Sequence, residues 1–149
     1  MTLDQNLKIL IFSLNNESFS TDINQVERII GYEEPTSLPE TPNFVQGVIK
    51  YEDKIVPIIN MNKKFGFVEK NDENKKIIII KRDENKFGII VDNVYEVKDV
   101  EESLLEEAPE ITIGIGRKYI KGLIKLDEKI VILLDLDKIL KKEEEESIF

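Results

Sequence analysis

The sequence predicts an all-β protein made of two similar small barrels, with a short helix near the C-terminus. Three observations carry that prediction. The apolar runs are short and β-branched: Ile9–Phe12, Ile55–Ile59, Ile77–Ile80, Gly88–Val91 and Ile130–Leu134, each bounded by Asn, Asp, Glu or Gly as buried strands are. Helical periodicity is weak until LDLDKILKK, where Leu136, Ile139 and Leu140 share one face. One stretch is also written twice: Gly47–Lys64 overlays Gly122–Ile139 at a shift of 75 residues, with seven identities in eighteen positions.

The elements follow in order within each copy. LIFSLNNESFSTDINQVERI reads strand, polar turn, strand, then Val26-x-x-Ile29, and IIIKRDENKFGIIVDNVYEV repeats that plan and ends Val94-x-x-Val97. An acidic, proline-containing segment comes next in both, and the repeated hairpin closes each half. Four or five strands with one apolar face leave edges that invite pairing with other chains, and closing into a small barrel removes them. The expected organisation is a single domain over 1–149, with a first barrel at 5–70, a second at 71–142 and an acidic tail at 143–149. The segment Glu69–Lys76 has no apolar residue and is the expected crossing between barrels. Asp135 is expected to end a strand and cap the last helix.

Composition excludes several kinds of chemistry. The chain of 149 residues has no cysteine and no histidine, so it has no disulfide framework, no thiolate metal site and no cysteine nucleophile. The commonest general base near neutral pH and the commonest zinc ligand are absent with the histidine. A formal charge of −9 repels phosphate backbones, and the lysines are interleaved with acids, so no nucleic-acid partner is expected. No apolar run approaches a membrane span and the N-terminus lacks a signal-peptide pattern, which predicts a cytoplasmic protein with no direct membrane insertion. Asp135-x-Asp137 lacks the glycine of a calcium loop, and no metal or cofactor is expected. Paired carboxylates of the glycosidase kind are not placed by any recognisable motif, so no catalytic residue is assigned.

Five pieces in order, FSTDINQVERII, LPETPNFVQGVI, KIVPIIN, FGIIVDNVYEV and YIKGLIKLDEKIVILLDLDKIL, resemble the CheW family of chemotaxis coupling proteins from about Leu7 to Leu140. The resemblance implies two SH3-like five-stranded barrels whose first strands are shared, and a non-enzymatic scaffold. Its partners would be the cytoplasmic tip of methyl-accepting chemoreceptors and the regulatory domain of a CheA-type histidine kinase. A divergent relative serving another receptor or kinase is the alternative reading.

The chain departs from the family pattern in one place. Relatives carry Asn-Leu-Arg-Gly where this sequence has Lys50, Tyr51, Glu52 and Asp53. The glutamate of the family's Val-x-Glu-Ile motif is replaced by Arg28 in Val26-Glu27-Arg28-Ile29. Both charges are exchanged, which predicts that Arg28 and Glu52 face one another across adjacent strands as a reversed salt bridge. The resemblance places Val26, Arg28, Ile30, Tyr51 and Glu52 at the receptor-facing groove, with Gly47 and Pro57 as backbone features of the docking region. Glycine at 47 and at 122 suggests a tight bend or bulge. Pro57, where the second copy has Ile132, suggests an edge or bulged strand.

Overall fold

The computed structural model describes residues 6–69, 73–82, 85–108 and 118–140, so the acidic tail expected at 143–149 lies outside the described residues. Eleven strands are present among them: β1 Asn6–Leu14, β2 Glu17–Asp22, β3 Val26–Gly31, β4 Val45–Tyr51, β5 Lys54–Asn60, β6 Lys76–Ile80, β7 Phe87–Val91, β8 Asn93–Glu101, β9 Leu105–Glu106, β10 Ile120–Leu126 and β11 Lys129–Leu134. The helices are short. One α-turn, α1, spans Met61–Lys64, and the expected C-terminal helix is a 3₁₀ turn at Leu136–Lys138. Asp135 caps that turn, its Oδ1 accepting from the Asp137 amide at 3.1 Å.

The strands form two sheets. One has the order β3-β6-β7-β5-β4 and the other β8-β1-β2-β11-β10-β9. Each sheet therefore draws strands from both sides of residue 70. The chain passes between sheets at the 3₁₀ turn Ile23–Gln25 and again at Asp92, where β7 gives way to β8. The polar segment expected to cross instead follows β5 and α1 and leads into β6, within one sheet.

The SH3-like closure expected from the resemblance is not found, because neither ladder closes among the described residues. The outer edge of β4 is occupied by the chain that follows β3: Thr36 and Val48 exchange two backbone hydrogen bonds, each 2.9 Å. With those groups engaged, β3 has no ladder partner in β4. In the other sheet β9 takes the same place on β10, pairing Glu106 with Leu123. The result is a pair of curled, open sheets.

The continuous apolar runs follow from this architecture. Alternate residues of a strand point to opposite faces, so a strand buried on both faces has no polar side. On β6, Ile77 and Ile79 enter a cluster inside the five-stranded sheet with Ile49, Val56, Ile58 and Ile90. Ile78 and Ile80 face the other way, into a central core between the sheets. On β1, Ile9 and Ile11 pack inside the six-stranded sheet, while Leu10, Phe12 and Leu14 enter the central core. Ring contacts tie that core together, with Phe19 against Phe12 at 6.4 Å and Phe65 against Tyr119 at 5.8 Å between centroids.

Two of the expected backbone features are explained by the ladders. β4 is bulged between Val45 and Gly47, and β10 between Ile120 and Gly122. Gly47 has φ +145°, and a Cβ there would sit 2.2 Å from the Thr36 carbonyl oxygen, so the close approach of residues 36–37 requires glycine. Pro57 is not on an edge strand, because β5 lies between β7 and β4. It pairs with Val48, whose N–H and C=O turn toward Thr36, and the parallel ladder with β7 begins only at Ile58. A proline is tolerated there because its missing N–H would have met no ladder partner.

Candidate functional site

The site residues gather where the two outer strands of the five-stranded sheet approach each other. β3 pairs Val26 with Ile80 and Arg28 with Ile79, which leaves Glu27 as the extra residue of a β-bulge. Bulges re-aim side chains, and here the neighbours diverge. Glu27 is turned under the strand and largely covered, while Arg28 stands in solvent. The β4–β5 hairpin turns on Glu52 and Asp53, with φ of 46° and 64°, the left-handed pair of a two-residue turn. That geometry carries Glu52 outward and leaves Tyr51 buried at the last position of β4.

Arg28 and Glu52 meet, with Nη2 to Oε1 at 3.5 Å. They do so from the two outermost strands of one sheet, not from neighbouring strands of a ladder as expected. Arg28 also lies over the ring of Tyr51, its Cζ 5.8 Å from the centroid. Beneath them Lys86 donates to Glu27 Oε1 at 2.7 Å, with both side chains about a quarter exposed. The Lys86 hydrogen bond is the main reason the Glu27 carboxyl is held below its ordinary range, with a smaller contribution from Tyr51. Burial, then the facing Glu27 carboxylate, push the Tyr51 phenol up. The site is thus a layered charge cluster: a covered Glu27–Lys86 pair, a buried phenol, and an exposed Arg28–Glu52 pair.

Of the residues predicted from sequence, the structure brings Arg28, Tyr51 and Glu52 together. Val26 and Ile30 share β3 with Arg28 but turn inward, Val26 against the central core and Ile30 against the core of the five-stranded sheet. Gly47 and Pro57 lie along the β4–β5 hairpin whose turn carries Glu52. Sequence reasoning missed Glu27 and Lys86. A bulge reverses which residues face inward and leaves no mark in the local pattern, so neither could be singled out. Among the described residues, no group of three or more acids is placed to hold a metal, and no helix is long and apolar enough to cross a membrane.

Two open sheets joined by a common core, with a charged cluster where the outer strands of one of them meet, define the class as an all-β domain. The chain belongs to the CheW-like domain family, whose model matches residues 8–144. It is 36% identical to the chemotaxis protein CheW of Klebsiella aerogenes over 138 residues, covering 92% of this chain and 83% of that one. It is 30% identical to the CheW of Thermotoga maritima, covering 91% and 88%. Among solved structures, the scaffolding protein TtCheW from Thermoanaerobacter tengcongensis superposes with a TM-score of 0.85 at 32% identity, over 97% of this chain and 92% of that one.

Proposed function

We propose that the chain is a chemotaxis coupling protein, a non-catalytic scaffold in the cytoplasm. It links the tips of methyl-accepting chemoreceptors to the regulatory domain of a CheA-type histidine kinase. The observation that carries the reading is the CheW-like match over residues 8–144, within which the Arg28–Glu52 pair occupies the two positions where the family pattern has the opposite charges. With both side chains more than half exposed, the pair contributes little to stability and is free to orient a partner. Exchanging both charges keeps the pair and reverses its dipole, so a receptor tip that fits this chain carries charges arranged for Arg28 on β3 and Glu52 on the turn.

The test is a pull-down with the receptor tips and kinase regulatory domain of the same cell, comparing wild type with Arg28→Glu, Glu52→Arg and the double exchange. Receptor capture is expected to fall in each single variant while kinase capture persists. Binding of neither partner by wild type at micromolar concentration sinks the coupling role. A second reading, a divergent relative serving another receptor or kinase, is favoured by the same exchange at Lys50–Asp53. It predicts that the double exchange gains affinity for receptors that wild type ignores.

A further inference from the structure

Five strands of the six-stranded sheet, β8-β1-β2-β11-β10, repeat the five-stranded sheet in order, and their registers fix which residues are equivalent. Matching β5–β7 to β11–β2 equates Lys86 with Ser18, and matching β3–β6 to β8–β1 equates the bulged Glu27 with Tyr95 and Arg28 with Glu96. The repeated hairpins equate Tyr51 with Leu126 and Glu52 with Asp127. All five counterparts line one groove of about 750 Å³ on the six-stranded sheet, floored by the buried Ile11 and Val131. The five-stranded sheet fills its own end with two cations and two anions. Of those four charged positions only Asp127 keeps its sign: Glu96 stands where Arg28 does, Tyr95 where Glu27 does and Ser18 where Lys86 does, so the same frame holds two anions and no cation. Glu17 and Glu128 also line it against Lys98 and Lys129, and none of these carboxylates forms an ion pair among the described residues. Tyr95, at 58% exposure, adds apolar surface.

We propose that this groove is a second docking surface, and that it takes a partner protein's segment presenting an arginine or lysine beside apolar side chains. The basic group would sit where Lys86 sits in the twin, at Ser18, between the Glu96 and Asp127 carboxylates and near the Tyr95 ring. The apolar neighbours would cover Ile11, Val131 and Leu126. The twin is the argument for that occupant, because on the same backbone frame the chain supplies two cations of its own, Arg28 and Lys86, to its acids. The surface is separate from the Arg28 face and does not depend on which partner that face takes.

The test uses the full chain and short capped peptides with one central arginine between leucines, with lysine, citrulline and glutamate versions as controls. Amide shifts in heteronuclear NMR, followed up to about 1 mM peptide, report the site and the affinity. The arginine and lysine peptides are expected to move amides around Ser18, Tyr95, Leu126 and Val131. Asp127→Asn and Glu96→Gln are expected to weaken binding about tenfold each, as close charge pairs across interfaces do. Ser18→Lys supplies the twin's cation from within and is expected to abolish binding while leaving the fold intact by circular dichroism. Glu52→Arg is expected to have no effect. Shifts that centre on the Arg28 face, equal binding of the citrulline or glutamate peptide, no shift at all, or shifts traced to self-association in ultracentrifugation would each overturn the proposal.

Discussion

Replacing Gly47 by alanine separates a steric requirement from a merely permissive glycine. The new Cβ would lie 2.2 Å from the Thr36 carbonyl oxygen and 2.6 Å from its carbon, distances at which the backbone of residues 36–37 must move. That movement breaks the two Thr36–Val48 hydrogen bonds, together worth about 1–3 kcal/mol net. Holding a non-glycine residue at φ +145° adds about 1–3 kcal/mol. The expected loss is roughly 2–6 kcal/mol, and its midpoint of about 4 kcal/mol lowers Tm by about 8–16 °C in a chain of this size.

Gly122→Ala is the internal control. Its Cβ would meet the Leu105 side chain at 2.5 Å and the Glu106 carbonyl at 3.0 Å, and a side chain can move where a backbone cannot. A cost of about 1–3 kcal/mol, that of modest overpacking, is expected there. Urea unfolding of the two variants, with the m-value checked against wild type, gives both numbers. Equal losses at the two sites, or a Gly47→Ala loss within about 0.5 kcal/mol of zero, would refute the reasoning that Thr36 sets the requirement.

Four further outcomes follow from the site. A double-mutant cycle on Arg28 and Glu52, each replaced by alanine, is expected to give a coupling of about 0.2–1 kcal/mol in stability, shrinking in high salt. Glu27 has a lowered pKa, so its contribution is present above the ordinary carboxylate range and is lost as pH falls through the folded value; Lys86→Gln is expected to flatten that acid limb in pH-dependent urea melts. Burial first, and then the 3.0 Å hydrogen bond to Glu34, raise the Tyr32 phenol from 10 to about 12. Its contribution is whole below pH 10 and lost toward pH 12, and Tyr32→Phe is expected to remove that alkaline loss. Asp53→Gly relieves a left-handed residue at the hairpin turn and is expected to raise stability by up to about 1 kcal/mol in thermal melts, with the Arg28–Glu52 pair retained.

The strands were legible because their chemistry is local. Ile77–Ile80 and Ile9–Phe12 can hardly be anything but doubly buried strands, and the repeat at 75 residues announced the second copy of each element. What the sequence does not carry is which hairpin pairs with which. The β1–β2 and β6–β7 hairpins each join the sheet formed mainly by the other half, a choice made by packing far apart in the chain. The proline at 57 misled for a related reason: its tolerance depends on where the parallel ladder to β7 begins, a matter of register between distant strands. At the site, Arg28 and Glu52 could be paired from the family pattern, whereas Glu27 and Lys86 became visible only with the bulge at Glu27.

The comparison of the two sheets bears on how the chain divides its work. Duplication preserved the features that the backbone needs: a bulge before each glycine, a bulge at Glu27 and at Tyr95, and a capped turn after each long hairpin. It did not preserve the charges on that frame. One end takes both its cations from its own chain, and on the proposed function its exposed Arg28–Glu52 pair would discriminate partners by the direction of a dipole. The other end sets four carboxylates against Lys98 and Lys129 over an apolar floor, and on the proposal above it would attract a partner by sign. On these two proposals, surfaces that read charge in different ways on one common core would engage different partners without competing. That is the physical requirement a scaffold has to meet, and conserved backbone with divergent charge is a direct way to meet it.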